Sequence, residues 1–230
     1  MVELKPKTGE MQNPWAEIAP VPIASAHEFM QEKAPKDRPA GKRTMSSHTC
    51  PWWLGYLLVT PLRRLVENPH ARLAPYVREG MLVLEPGPAM GFFTLELARL
   101  VGPSGRVVAV DLQDKMLAAL RRRAERAGLA DRIETRRCTQ DDLAIGDLAG
   151  QVDFAVLIHM VHEVANPDRF LGAVFATLKP GGGVLFVEPA GHVPAEAFRA
   201  SVALAEKIGF TVAEPAQGKK LRVLLRRPAV

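Results

Sequence analysis

From Gly80 onward the sequence alternates short apolar runs with amphipathic helical stretches, and few folds accommodate that rhythm. Met81–Glu85 is an apolar run ending at an acid, followed by helical periodicity over Gly91–Val101 that stops at Gly102-Pro103-Ser104-Gly105. Arg106–Asp111 is a second run closed by an acid, Lys115–Ala127 is helical up to Gly128, and Ile133–Arg137 reads as a third strand. Val152–Ile158 is nearly all apolar, as a strand covered on both faces should be. Pro167–Leu178 is helical and halts at Lys179-Pro180-Gly181-Gly182-Gly183. Val184–Glu188 is a fifth strand, Pro194–Ile208 a helix, and Phe210–Ala213 with Leu221–Arg226 a closing pair. The expected fold is α/β: a doubly wound, mostly parallel seven-stranded sheet with helices on both faces and an antiparallel last strand.

The preceding residues read differently. Residues 1–47 hold Pro6, Pro14, Pro20, Pro22, Pro35 and Pro39, a density that breaks regular elements. They are expected to form an irregular N-terminal arm, with one short helix over Ala26–Lys33. Residues 48–79 turn apolar, with Trp53–Leu58 and then Pro61–Val66 at helical spacing, closed by Asn68-Pro69. They are read as a helical cap on the ligand-binding domain at 80–230.

Ligands of such sheets sit at the carboxyl ends of the strands, near the point where the strand order reverses. Two strand ends there carry acids. Glu85 closes the first strand and leads into Gly87-Pro88-Ala89-Met90-Gly91, a turn in which glycines allow close approach to a ligand. The nicotinamide-cofactor fingerprint G-x-G-x-x-G is not met, and an acid just before the first glycine suits a cationic ligand better than a pyrophosphate. Asp111 closes the second strand, where a carboxylate can accept both hydroxyls of a ribose. The alternative for Asp111 is a cap on the next helix.

Taken in order, these motifs resemble the class I S-adenosylmethionine-dependent methyltransferase family. Its pattern runs acid-x-G-x-G-x-G, an acid after strand two, an acid near strand three, then L-K-P-G-G before strand five. Here those positions read Glu85/Gly87/Ala89/Gly91, Asp111, Asp141-Asp142 and Leu178–Gly182, and the resemblance covers about residues 75–227. It implies S-adenosyl-L-methionine as cofactor, held by Glu85, Gly87, Pro88, Ala89, Gly91, Asp111, Leu112, Met116, Gln140, Asp141 and His159. The sequence departs from the pattern twice. Ala89 replaces a usual glycine, which a methyl group survives if φ is negative. Cys138-Thr139-Gln140 occupies the place of the third acid, so adenine contact is given to Asp141, with Asp142 or Gln140 as alternatives. Leu112 and Met116 are placed to sandwich the adenine, or simply to pack their helix on the sheet.

Methyl transfer from a sulfonium is an in-line displacement, so the protein mainly supplies alignment and a dry site, and a base only where the acceptor must lose a proton. The base candidates follow strand four in His159-Met160-Val161-His162-Glu163. His159 and His162 would share a face if the segment were helical, with Glu163 orienting whichever acts as base. For the acceptor, the resemblance points to the residues before strand one, where His48, Cys50, Trp52 and Trp53 offer an apolar or cation-binding wall, and His192 follows strand five. The spacing of His48, Cys50, His159, His162 and His192 fits no zinc pattern, so no metal is expected.

Bulk properties narrow the rest. The net charge of +5 and pI of about 9.4 leave nucleic acid in play. The basic residues are scattered in short clusters, and the N-P-P-Y signature of many base-modifying enzymes is absent, so a small-molecule acceptor is favoured. RNA or protein methylation, and a non-catalytic cofactor-binding scaffold, stand as alternatives. Two cysteines, Cys50 and Cys138, make no disulfide framework, and no apolar run or leader indicates a membrane or export. A cytoplasmic location is expected.

Overall fold

The computed structural model describes residues 67–216 and 220–229. The expected arm at 1–47 and most of the cap at 48–79 lie outside those residues. The chain enters the described part through Asn68, whose side chain accepts from the Ala71 N–H and caps the short helix α1 (Pro69–Leu73). Asn68-Pro69 therefore begins a helix, where the sequence suggested an end. Proline suits a first helical position because its missing N–H would have no intrahelical partner there.

Beyond α1 run β1 (Leu82–Pro86), α2 (Thr94–Leu100), β2 (Arg106–Asp111), α3 (Asp114–Arg126), β3 (Ile133–Arg137) and β4 (Val152–Ile158). After these come α4 (Pro167–Thr177), β5 (Leu178–Val187), α5 (Ala195–Ile208), β6 (Thr211–Glu214) and β7 (Arg222–Arg226). The strands form one seven-stranded sheet in the order β3-β2-β1-β4-β5-β7-β6. The neighbours from β3 to β5 are parallel. β7 alone runs against the rest, antiparallel to both β5 and β6. The doubly wound sheet expected from the alternating pattern is the fold adopted.

Alternate residues of the strands feed two cores. Leu84, Val108, Ala155, Leu157, Val184 and Phe186 face one side, where Phe170, Leu171 and Val174 of α4 and Phe198 and Ala205 of α5 cover them. Val83, Val107, Phe154, Val156 and Leu185 face the other, under Leu73 of α1, Leu95, Leu97 and Ala98 of α2 and Ala124 of α3. With both faces covered, the middles of β1, β4 and β5 need apolar residues on both sides, and this is why they read as nearly continuous runs.

Two element boundaries differ from the sequence reading by more than one residue. α2 starts at Thr94 rather than Gly91, because the three residues before it are turned. β5 starts at Leu178 rather than Val184, absorbing the Lys-Pro-Gly-Gly-Gly stretch. Leu178 pairs with Val152, the register then shifts, and pairing resumes at Gly183 opposite Phe154. A Cβ on Gly183 would sit 2.8 Å from the Phe154 ring, so the bulge closes only over glycine.

The far edge is tied back to the start of the domain. Tyr76 stacks on Phe154 with ring centroids 5.7 Å apart. Its hydroxyl donates to Glu214 of β6 at 3.0 Å, and Arg222 of β7 hydrogen-bonds the same hydroxyl.

Candidate active site

The sheet reverses its order between β1 and β4, and the carboxyl ends of β1, β2 and β4 open there onto a cleft of about 230 Å³. Its first wall is the turn after β1. Gly87 and Gly91 take positive φ, +70° and +84°. A side chain on Gly87 would press on Met160, at 3.2 Å from its Cβ, and one on Gly91 would meet Leu120 Cδ1 at 2.3 Å. Only glycine lets this loop pass so close to the segment after β4 and to α3. Ala89 also takes a positive φ of +49°, contrary to the negative φ that an alanine there was expected to need. In this conformation its N–H lies near the Asp111 carboxylate and favours its ionised form.

Asp111 is 9% exposed and ends β2. Oδ1 accepts from the Gln113 N–H at 2.8 Å, and the Ala89 and Leu112 N–H groups also donate to it. Gln113, not Asp111, stands at the cap position of α3. Burial nevertheless pushes the Asp111 carboxyl up to about 6 against those donors, with the nearby Glu163 charge adding to the rise. Glu85 is buried more deeply. Burial pushes it up to about 7, assisted by the Asp111 charge and opposed by the Thr94 hydroxyl. Neither Glu85 Oε2 nor Thr94 Oγ1 has a partner at hydrogen-bonding geometry among the described residues. A buried carboxylate oxygen with no partner is costly, and such a group is usually matched by a ligand or kept for function. Among the described residues that line the cleft there is no lysine or arginine, while Asp111 and Glu163 face it.

Of the residues expected to hold a cofactor, Gly87, Ala89, Asp111, Leu112, Met116, Gln140 and His159 line this cleft. Glu85 and Gly91 are not among the lining residues: Glu85 is buried one residue before Pro86, which lines the cleft, and Gly91 shapes the turn. Pro88 is not among the lining residues. Asp141 does not reach the cleft: its side chain is 90% exposed and stands 3.9 Å from Arg169. The cause is the local turn, in which the Asp142 N–H donates to Thr139 Oγ1 and the Ala144 N–H to Asp142 Oδ1. That turn binds Asp142 and throws Asp141 outward, leaving Gln140 as the one of the three that faces the cleft. Cys138 and Thr139, which directly follow β3, line it too, although sequence reasoning passed over them as departures from pattern. Burial raises the Cys138 thiol to about 11, so it stays protonated and apolar in character.

The segment after β4 is a single 3-10 turn, Val161–Glu163, and His159 precedes it. The two histidines therefore share no helical face. His159 takes a φ of +60° with its N–H bonded to Val187 O at 2.8 Å, and it lines the cleft with its Nε2 4.0 Å from Glu67. His162 turns toward the end of β5. Its Nδ1 lies 2.7 Å from Glu188 Oε2 and its backbone N–H donates to Glu188 Oε1 at 3.0 Å. Glu188, one residue past β5, thus takes the orienting position expected of Glu163, whose carboxylate is 3.9 Å from His162 Nε2 and faces the cleft. Burial pushes the Glu188 carboxyl up, opposed by its bonds to His162. His192 stands edge-on to the His162 ring at 5.1 Å between centroids. His48, Cys50, Trp52 and Trp53 lie outside the described residues. Among the described residues no three His, Cys, Asp or Glu side chains are grouped to hold a metal ion, and no helix is long and apolar enough to cross a membrane.

Residues 83–182 match a family described as methyltransferase domain. A ubiquinone/menaquinone biosynthesis C-methyltransferase of Pasteurella multocida is 32% identical over 112 residues, 49% of this chain and 41% of that protein. The chain thus spans less than half the length of that curated relative. Among solved structures, a SAM-dependent methyltransferase from Aquifex aeolicus superposes with a TM-score of 0.67 at 22% identity, over 77% of this chain and 98% of that one. A phosphoethanolamine N-methyltransferase of Haemonchus contortus, solved with S-adenosylhomocysteine, gives 0.50 at 22% identity over 62% and 36% of the two chains.

Proposed function

We propose that the chain, whose residues 83–182 match a methyltransferase domain, is a class I S-adenosylmethionine-dependent methyltransferase that transfers a methyl group from S-adenosylmethionine to a small-molecule acceptor. The observation that carries the reading is the pair of buried acids at adjacent strand ends, Glu85 with an oxygen unpartnered among the described residues and Asp111 held by the Gln113 N–H, beside a cleft lined by no lysine or arginine among the described residues. That donor set fits a ligand bearing positive charge and vicinal hydroxyls. Glu85 would take the cationic amino-acid end, Asp111 the ribose hydroxyls, and Leu112, Met116 and Gln140 the adenine. The bound cofactor supplies a methyl group already activated on a sulfonium. What remains for these residues is to hold the acceptor in line and keep water out. Glu163, facing the cleft with Asp111, keeps the site negative and favours a positively charged occupant.

Calorimetric titration with S-adenosylmethionine, S-adenosylhomocysteine and NADH in parallel tests the reading. Micromolar binding of the first two and none of NADH is expected. Binding of NADH alone, or of none of the three, would refute it.

A further inference from the structure

The loop after β3 has two sides, and the cleft takes only one of them. Cys138, Thr139 and Gln140 line the cleft, whereas Asp141 and Asp142 line a second cavity, of about 270 Å³, between this loop and α4. Gln140, Leu143, Val164 and Phe170 line both spaces and form the wall between them. The rest of the second cavity is mostly apolar, with Ile145, Ala149, Ala173 and Ala176 around it. Most of its polar side chains are already bonded within the wall. Asn166 Oδ1 accepts from the Arg169 N–H at 3.0 Å, the Thr177 hydroxyl donates to Val174 O at 2.7 Å, and Asp142 Oδ1 accepts from the Ala144 N–H at 2.8 Å. The Asp141 and Arg169 side chains, 3.9 Å apart, are both exposed. A space whose polar groups bond one another offers a ligand apolar surface and little else.

We infer that the second cavity is a side pocket of the methyl-donor site, which takes an apolar substituent carried on the 6-amino nitrogen of the donor's purine. The inference rests on the reading of the cleft as the S-adenosylmethionine site, with Leu112, Met116 and Gln140 around the adenine. Of those three, Gln140 alone lines both spaces, so the purine edge that meets it faces the shared wall. No carboxylate of the loop after β3 lines the cleft to hold both amino hydrogens. A nitrogen carrying one substituent keeps one N–H, which the Gln140 side-chain oxygen accepts. Gln140 is exposed on its loop and is free to change rotamer, which opens the wall to the substituent. A dry cavity of about 150 Å³ is enough to take a benzene, so about 270 Å³ accommodates a benzyl group. Moving that ring out of water is favourable in proportion to the apolar area it loses. The site therefore selects its donor by the charged end and the ribose, and not by the size of the group on the 6-amino nitrogen.

Calorimetric titration of the full chain with S-adenosylhomocysteine and with its N6-benzyl derivative tests this. The benzyl derivative is expected to bind at least as tightly as the unsubstituted ligand. Ala173→Phe, from α4, and Ala149→Phe, from the loop side, fill the second cavity, and neither residue lines the cleft. Each should weaken the benzyl derivative at least tenfold and leave S-adenosylhomocysteine within twofold, which also shows that the variant is folded. Weaker binding of the benzyl derivative than of S-adenosylhomocysteine to the unchanged chain would overturn the inference. So would an equal effect on the two ligands, or none on either, in a folded variant. Loss of both ligands from the unchanged chain would refute the cofactor reading instead.

Discussion

Glu85 shows at a single residue how its proposed binding role is set against stability. Its folded pKa of about 7, against an ordinary 4.5, means that the native state prefers the neutral acid. A carboxyl raised in this way contributes fully below its unfolded value, and the contribution is lost as pH climbs through the folded one. Between pH about 4.5 and about 7 the ligand-free protein should therefore lose on the order of 3 kcal/mol relative to the same chain with a glutamine there. Urea unfolding of Glu85→Gln is expected to show a variant more stable than the parent at pH 8 and equal to it near pH 4. The same substitution should weaken binding of S-adenosylmethionine. Asp111→Ala should weaken it by about 1–3 kcal/mol, the loss expected for hydrogen bonds to a charged group, read as a fall in affinity by calorimetry. Ala89 carries a different tension. At a φ of +49° its Cβ is strained, and Ala89→Gly should raise the unfolding free energy by up to about 1 kcal/mol. Glu85 and Asp111 could be found in the sequence because each ends an apolar run. The positive φ at Ala89 could not, because an alanine carries no local signal for it. Nor could the partnership of His162 with Glu188, since nothing local says that two strand ends meet.

Elements were legible where burial alone decides them, and less so where a turn does. β2 and β4 have the bounds their apolar runs suggested, because a strand covered on both faces has few polar positions to blur it; β3, the polar edge strand Ile-Glu-Thr-Arg-Arg, is bounded as expected as well. α2 lost its first residues to the turn that Gly91 makes possible. There the chain depends on the missing side chain: Gly91→Ala would put a methyl 2.3 Å from Leu120 Cδ1 at a φ of +84°. Leu120 is fully buried and has little room to yield. That substitution should destabilise the domain by about 2–4 kcal/mol in denaturant unfolding. The Lys-Pro-Gly-Gly-Gly stretch looked like a break because glycine and proline usually are one. In the sheet it is a bulge within β5, paired on both sides of the irregularity. His159 and His162 were expected on one helical face, and the 3-10 turn sends them to different walls of the site. That divergence leaves His159 lining the cleft and turns His162 toward Glu188.

At the scale of the molecule, the alternation of strand and helix was enough to give the doubly wound sheet. The order of its last two strands was not legible, because a closing pair of strands can join either edge to edge or by insertion. The structure inserts β7 between β5 and β6, and among the described residues β6 pairs with no other strand. Hydrogen exchange should accordingly be slowest in the middle of β1, β4 and β5 and fastest among the strands in β6, three of whose four residues are exposed. Uniform protection across all seven strands would contradict that ranking. The insertion also has a consequence in time. Residues 222–226 are made after every other strand, at about 5–20 residues per second, and until they emerge β5 has an open edge and β6 has nothing to join. A nascent chain on the ribosome can build the half of the sheet that holds Glu85 and Asp111, but it becomes a finished sheet only when its latest strand slides between two earlier ones.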